Sequence, residues 1–249
     1  MESKRKWSPH LSPRVSVIIP VFNEGASVAP ILKLISESID FEHEILVVYD
    51  HDDDTTLPTL QMLNSENERV IPVKNQLGSG PAKAIRSGIG QARSPVIVVT
   101  MADGCDDPEQ IVQLTKLVER GVVIACASRY SKGGRQIGGP FLKSKMSRIA
   151  GSILFYFARV GTHDATNSFK AYSRVFIEEV GIESEQGFEI GLELVAKARR
   201  LKKPVAEIPT IWLDRAFGES HFKFKKWLPH YVKWFLYAFG IRFNSSEGR

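Results

Sequence analysis

The stretch Ser94-Pro-Val-Ile-Val-Val-Thr100, followed by Met101-Ala-Asp-Gly-Cys-Asp-Asp-Pro-Glu109, decides how this chain is read. A short, unbroken run of β-branched residues behind Pro95 suits a strand buried on both faces. The acid-rich turn that follows leads into a helix over 108–120, with Pro108 at its first position. The same pattern recurs on either side. Upstream, Val15–Ile19 is an apolar run stopped by Pro20, and Glu44–Val48 runs into Asp50, Asp52, Asp53 and Asp54. Downstream, Val122–Ala127 forms a further strand. Between them lie helical spacings over 26–38 (Ser27 as N-cap), 55–64 and 81–92, the last entered through Gly78 and Gly80, and a short strand at 70–72. Strands alternating with helices predict crossover connections and a mostly parallel α/β sheet. Ligands of such sheets bind beyond the carboxyl ends of the strands, where both acidic clusters fall. A single acid there commonly caps a helix or starts a turn. Two clusters behind two buried strands also suit a divalent cation held between carboxylates and a diphosphate.

The second half is less regular. An apolar helix is expected over 144–160, an amphipathic helix with Glu189 and Glu193 over 187–201, and a strand over 205–213. Pro209 places that strand at a sheet edge. Composition sets the remaining bounds. With 249 residues, 43% of them hydrophobic, the chain suffices for one α/β domain with a small appendage. A charged fraction of 24% argues against disorder. The net charge of +5 favours anionic partners: nucleotides, phosphorylated lipids, anionic membrane surfaces or nucleic acid. Two cysteines, Cys105 and Cys126, have no metal-ligand spacing and are too few for a disulfide scaffold, which suits a reducing, cytoplasmic compartment. Acids flank Cys105 and disfavour a nucleophilic thiolate. The basic N-terminus lacks the apolar core of a signal peptide, and residues 1–13 are expected to be a mobile tail. No stretch reaches the ~20 apolar residues of a spanning helix. The richest, 227–243, is broken by Pro229, His230, Lys233 and Arg242, so any membrane contact is expected to be peripheral.

The ordered motifs are more specific than the composition. Ile19-Pro-Val-Phe-Asn-Glu24 opens the series, followed by Glu44-Ile-Leu-Val-Val-Tyr-Asp50 with Asp54-Thr-Thr56, then Asn75 to Gly88 with glycines at 78, 80 and 88. Val98-Val-Thr-Met-Ala-Asp103 and Ala127-Ser-Arg-Tyr130 come next, before Ser147-Arg148, Asp164-Ala-Thr-Asn-Ser-Phe-Lys-Ala-Tyr172, Glu193 and Asp214-Arg215 with Gly218 and Ser220. Over residues 14–225 this series resembles family 2 glycosyltransferases, in particular the polyprenyl-phosphate branch typified by dolichol-phosphate mannosyltransferase. The resemblance implies a GT-A-like α/β domain over 14–225, followed by an aromatic and basic helical segment over 226–249. It also implies inverting transfer of a sugar from a GDP- or UDP-sugar to a lipid phosphate, with Mg²⁺ or Mn²⁺ as cofactor and no nucleic-acid partner.

The residue roles it implies are these. Asp50 contacts the nucleotide base, while Pro20, Asn23, Glu24, Gly80, Ala102, Ser168 and Glu193 contribute to substrate binding. Asp103, with Asp106, holds the metal that bridges the leaving diphosphate. Arg129, Lys143, Ser147 and Arg215 position the acceptor phosphate, and Asp103, Arg129 and Arg215 carry the catalysis. There are three departures from the family pattern: Met101 replaces the first acid of the metal motif, Lys170 replaces an arginine, and His221 replaces the basic residue after Ser220. From the residues alone, Arg129 equally suits a structural ion pair, and Arg215 suits a local pair with Asp214. A hydroxyl acceptor would need a base, for which Asp106, Asp107 or Asp164 are candidates. A non-catalytic binding protein also stays open because of Met101. A nucleotidyltransferase is disfavoured, since no glycine-rich basic loop follows the first strand. Lysines 223, 225 and 226 beside aromatic residues over 223–239, together with the apolar helix at 149–160, suggest contact with an anionic membrane surface.

Overall fold

The computed structural model describes residues 12–214, 224–241 and 243. Its order is β1 (Val15–Pro20), α1 (Val28–Ser38), β2 (His43–Tyr49), α2 (Leu57–Glu66), β3 (Val70–Lys74), α3 (Pro81–Gln91), β4 (Val96–Val99), α4 (Gln110–Glu119), β5 (Ile124–Ser128), β6 (Arg135–Ile137), α5 (Phe141–Ile153), β7 (Lys170–Ser173), α6 (Arg174–Val180), α7 (Ile190–Arg200), β8 (Val205–Pro209), β9 (Ile211–Leu213) and α8 (Phe224–Ala238). Seven strands form one sheet in the order β3-β2-β1-β4-β7-β5-β8, and β6 pairs with β9 in a separate ribbon. All neighbours in the large sheet are parallel except β7, which runs antiparallel to both β4 and β5.

The pleat explains why the central strands read as continuous apolar runs. Val15, Val17 and Ile19 of β1 face a core shared with α1, α2 and α4, while Ile18 faces the opposite core under α3 and α7. The sheet is therefore covered on both sides, and a strand buried on both faces shows no alternation. Gly88 lets α3 approach closely: a Cβ there would lie 2.6 Å from Ile18 Cγ2 and 2.9 Å from Val48 Cγ2.

Several elements depart from the sequence expectations. Ser27 occupies the N-cap position of α1, but its hydroxyl accepts no N–H of the first helical turn and instead donates to the Glu24 carbonyl, across the 3₁₀ turn that precedes the helix. The apolar helix starts earlier than expected, at Phe141, and ends in a π-helical turn, Leu154–Ala158, closed by Arg159 in the left-handed region (φ 57°). β7 was not anticipated, because its Lys170 suggests a surface position. Instead Lys170 is fully buried, and its ammonium donates to the carbonyls of Ala165 and Asn167. The helix expected to be amphipathic is buried from Ile190 to Ala198, with the sheet on one flank and α8 on another. The strand expected over 205–213 divides at Thr210. β8 ends at the sheet edge with Pro209, where a missing N–H costs no ladder bond, and β9 joins the ribbon. The boundary drawn at residue 225 falls inside α8, whose Trp227, Trp234 and Ala238 are buried. No described helix is long and apolar enough to cross a membrane.

Candidate active site

A cleft of about 720 Å³ opens beyond the carboxyl ends of β1, β2 and β4. Pro20, Glu24, Asp50, Gly80, Ala102, Asp103 and Asp106 line one half. Arg129 and Ser168, with Lys143 and Ser147 of α5, line the adjoining wall. Two of the residues singled out in the sequence stand behind the wall. Asn23 takes a left-handed conformation (φ 55°). Its N–H donates to the Asp54 carboxylate and its Oδ1 accepts from the Thr55 N–H at 3.1 Å. The Asp54-Thr55-Thr56 segment thus braces the 23–24 turn and leaves Glu24 facing the cleft. Glu193 is fully buried and accepts from the N–H groups of Glu183 (2.7 Å) and Ser184 (2.9 Å) and from Lys197 Nζ (2.7 Å). It fixes the loop at 183–187, whose Glu185 and Gln186 reach the cleft. Arg215 lies outside the described residues, as do Gly218, Ser220, His221, Lys223 and the basic tail up to residue 11; the side chains of Lys225 and Lys226 are likewise not described.

Asp50 is held in place. Its carboxylate accepts from Asn75 Nδ2 (2.8 Å) and from the Gly80 N–H (2.8 Å), and Asn75 Nδ2 also donates to the Gly78 carbonyl (2.7 Å). Two other acids of that cluster serve structure: Asp52 pairs with Lys74, and Asp54 holds the turn.

Arg129 takes the arrangement that the sequence left open beside an acceptor role. Its Nε and Nη2 grip both oxygens of the fully buried Asp164 at 2.7 and 2.9 Å, and its backbone N–H adds a third bond at 3.0 Å. Burial alone would raise the Asp164 carboxyl, but the Arg129 charge, the hydrogen bonds from Arg129 and the Lys170 charge together outweigh it and hold that carboxyl below the usual carboxylate range. Asp164 is thereby unsuited to act as a base. Asp107 is also unsuited, since its side chain accepts from the Glu109 N–H and does not line the cleft.

Asp103 and Asp106 both face the cleft. Asp103 Oδ1 accepts from the Cys105 N–H at 3.1 Å, and Asp106 Oδ2 accepts from Thr100 Oγ1 at 2.8 Å. Burial, then the Asp103 charge, push the Asp106 carboxyl up to about 7. Two carboxylates whose charges oppose each other in one cleft form an oxygen donor pair suited to a hard divalent ion that completes its shell with phosphate and water oxygens. Met101 adds no oxygen, and no group of three or more His, Cys, Asp or Glu side chains poised for a metal occurs among the described residues.

The remaining wall is apolar and was missed as a site. Met146, Ala150 and Leu154 of α5 and its π turn face Phe188, Leu192 and, from α8, Trp227, Leu228, Tyr231, Val232 and Phe235. The aromatic clustering of 227–239 was visible in the sequence, but not that these rings turn inward. Gly187 permits this: a Cβ there would lie 2.6 Å from Trp227 Cδ2. Tyr130, Gln136 and Ser144 form a hydrogen-bonded chain along the polar edge (3.1 and 2.6 Å).

A mostly parallel sheet with one reversed strand, and an acid-lined cleft at its carboxyl edge, define a GT-A-type α/β domain. Comparison with known proteins gives the family. The chain belongs to glycosyl transferase family 2, whose model matches residues 16–181. A dolichol-phosphate mannosyltransferase of Pyrococcus furiosus is 32% identical over 216 residues, covering 85% of this chain and 60% of the relative. The chain thus spans about 60% of that protein's length. A polyprenol monophosphomannose synthase of Mycolicibacterium smegmatis is 28% identical over 213 residues, covering 83% of this chain and 80% of the relative. Among solved structures, glucosyl-3-phosphoglycerate synthase from Mycobacterium tuberculosis, in complex with Mn²⁺, UDP and phosphoglyceric acid, superposes with a TM-score of 0.68 at 15% identity. That match covers 93% of this chain and 80% of the other, and it shares the fold.

Proposed function

We propose that this protein transfers a sugar from a nucleoside-diphosphate donor to a polyprenyl phosphate, with inversion at the anomeric carbon. The observation that carries this reading is the division of one cleft into an acid-lined half at the strand ends and an apolar half between α5, α7 and α8. The first suits a nucleotide diphosphate, and the second suits an isoprenoid chain. The names of the two sequence relatives support the lipid acceptor.

In the reaction, an oxygen of the acceptor phosphate attacks the anomeric carbon, the bond from that carbon to the diphosphate oxygen breaks, and the nucleoside diphosphate leaves with the electron pair. A phosphate acceptor is already ionised at neutral pH, so a strong general base is not required. Asp103 and Asp106 would hold the Mg²⁺ or Mn²⁺ ion, which would supply positive charge against the diphosphate. Lys143 and Ser147 orient the acceptor phosphate at the junction of the two halves. Ser147 Oγ is already placed by a 2.7 Å hydrogen bond to Thr166 Oγ1. Arg129 lines that junction with its guanidinium held in place by the two-point pair with Asp164. Arg215 is assigned the same phosphate by the family pattern alone.

The outer face of α5 supports peripheral membrane contact. Phe141, Leu142, Ile149, Tyr156 and Phe157 are exposed, up to 80% for Phe141. Residues 141–163 include Lys143, Lys145, Arg148 and Arg159 and no carboxylate. Cations beside exposed apolar side chains suit an anionic lipid surface, where each is worth about 1 kcal/mol. The same helix lines the apolar half of the cleft with its inner face, so a lipid chain could pass from bilayer to site along it.

Farnesyl phosphate tests the acceptor half directly. It is expected to raise the melting temperature of the wild type more than inorganic phosphate and farnesol do together, and Leu228→Glu is expected to remove that excess. An equal shift from phosphate alone would contradict a lipid acceptor.

A further inference from the structure

We propose that Gln186 is a specificity-determining residue whose carboxamide pairs with two neighbouring hydroxyls of the transferred sugar. The inference rests on the nucleotide-sugar reading and adds to it a residue that reads the sugar, together with the class of sugar it reads: a pyranose with adjacent unsubstituted hydroxyls.

Three amide side chains line the cleft: Gln136, Asn167 and Gln186. Two of them are committed. Gln136 donates to Ser144 Oγ (2.6 Å) and accepts from the Tyr130 hydroxyl (3.1 Å). Asn167 Nδ2 donates to the Ala127 carbonyl (2.9 Å), and its Oδ1 accepts from the Phe169 N–H (3.5 Å). The Gln186 side chain is half-buried and makes no hydrogen bond among the described residues; only its backbone N–H is bonded. A half-buried polar group that lines a cleft without a protein partner suits a polar ligand.

The backbone beneath it is fixed. Glu189, fully buried, accepts from the N–H groups of Gln186 (3.3 Å) and Gly187 (2.8 Å). Glu193 accepts from those of Glu183 and Ser184, and Trp234 Nε1 of α8 donates to Ser184 Oγ (3.1 Å). The loop therefore presents its uncommitted amide from a rigid base, which lowers the ordering cost when a ligand binds. Glu185 beside it is exposed and reaches Arg86 (3.4 Å).

Location selects the part of the ligand. The Gln186 carbonyl faces Gly80, where a Cβ would lie 3.5 Å from that oxygen. Gly80 stands at the start of α3 and donates to Asp50 in the acid-lined half. Two residues on, Phe188 lines the apolar half and meets Trp227 edge-on, with 5.6 Å between ring centroids. Residue 186 thus stands on the border between the halves. In the displacement, the sugar is bonded to the diphosphate on one side and attacked by the acceptor phosphate from the other, so it occupies that border.

The chemistry follows from the donor and acceptor inventory. Each sugar hydroxyl is both donor and acceptor, and a carboxamide offers an acceptor oxygen beside a donor nitrogen. Two adjacent hydroxyls satisfy both ends at once. The amide is neutral, so it adds no repulsion toward the diphosphate, as another carboxylate would. A site built to pair hydroxyls rejects a ligand that lacks them.

Titration calorimetry with Mn²⁺ tests the proposal, using GDP-mannose, UDP-glucose, UDP-galactose and UDP-N-acetylglucosamine beside GDP and UDP. For the sugar donor that the wild type binds tightest, Gln186→Leu and Gln186→Met should each weaken binding at least about fivefold, while affinity for the parent nucleoside diphosphate stays within about twofold. The retained diphosphate binding also reports that the variants are folded. Two results would overturn the assignment: unchanged sugar-donor affinity in both variants, or equal weakening of the sugar donor and its parent diphosphate, which would place Gln186 at the nucleotide. Binding of no nucleotide or nucleotide-sugar by the wild type would overturn the donor reading itself, and this proposal with it.

Discussion

Asp103 and Asp106 stand on one turn after β4, and their interaction sets two expectations at the scale of the residue. Asp103→Asn should lower kcat at least about a hundredfold and abolish the Mn²⁺-dependent gain in UDP or GDP affinity, because charge on the leaving diphosphate would go unneutralised. Turnover indifferent to both EDTA and this substitution would contradict the role. The second expectation concerns pH. The Asp106 carboxyl titrates near 7 in the folded chain against an ordinary value of 3.8. Between those values the folded state holds a proton that the unfolded state has released, so this residue makes stability fall as pH rises from about 4 to about 7. Buried His43, held down to about 4, acts oppositely, because the unfolded state takes its proton first as pH falls below 6.5. Melting curves of the wild type against Asp106→Asn isolate the first trend: the variant should gain relative stability as pH rises through that window. A pH-independent difference would contradict it. At this scale Asp50, Asp103 and Asp106 could be placed beyond strand ends because they follow apolar runs, and they line the cleft; Lys143, named by the resemblance alone, lines it from α5. Asn23 and Glu193 belong to the same motifs yet serve the backbone around the site, and spacing alone does not separate a ligand from a brace.

Elements place these residues, and small side chains set the placement. Gly88 holds α3 against Ile18 and Val48, and α3 carries Gly80 and Lys83 at its entrance. Gly88→Ala should cost about 1–3 kcal/mol in urea unfolding by overpacking and should weaken donor binding as the helix shifts outward. A stable variant with unaltered donor affinity would show that α3 does not set the loop. The outer face of α5 makes a separate prediction. Ile149→Glu with Phe157→Glu should reduce co-sedimentation with anionic vesicles at least about tenfold while leaving the melting temperature nearly unchanged, since both side chains are exposed. Vesicle binding indifferent to these changes, or to salt, would contradict membrane docking through α5. The parallel strands and their helices were legible because β-branched runs and helical spacing alternate through residue 128. The reversed β7 was not, because a four-residue strand containing a lysine has no periodic signal, and Lys170 is made tolerable only by carbonyls brought to it by the fold. α7 misled for the opposite reason: Glu189 and Glu193 suggest a polar face, but both are buried, Glu193 in an ion pair with Lys197.

On the scale of the whole molecule, the cleft joins the first half of the chain, which supplies the acids, to the second half, which supplies the apolar wall. The acid-lined half was legible from strand ends. The apolar half was not, because its residues come from α5, α7 and α8 and meet only through tertiary packing, as where Trp227 covers Gly187. The central claim is that one cleft brings a nucleotide-sugar to a lipid phosphate. Sugar transfer from radiolabelled GDP- and UDP-sugars, offered a polyprenyl phosphate in vesicles and a water-soluble phosphate or hydroxyl acceptor in the same reaction, tests this most directly. Label should pass to the solvent-extractable polyprenyl product, with the anomeric configuration inverted, and transfer should be lost in Asp103→Asn. Equal or preferential labelling of the water-soluble acceptor would contradict the account.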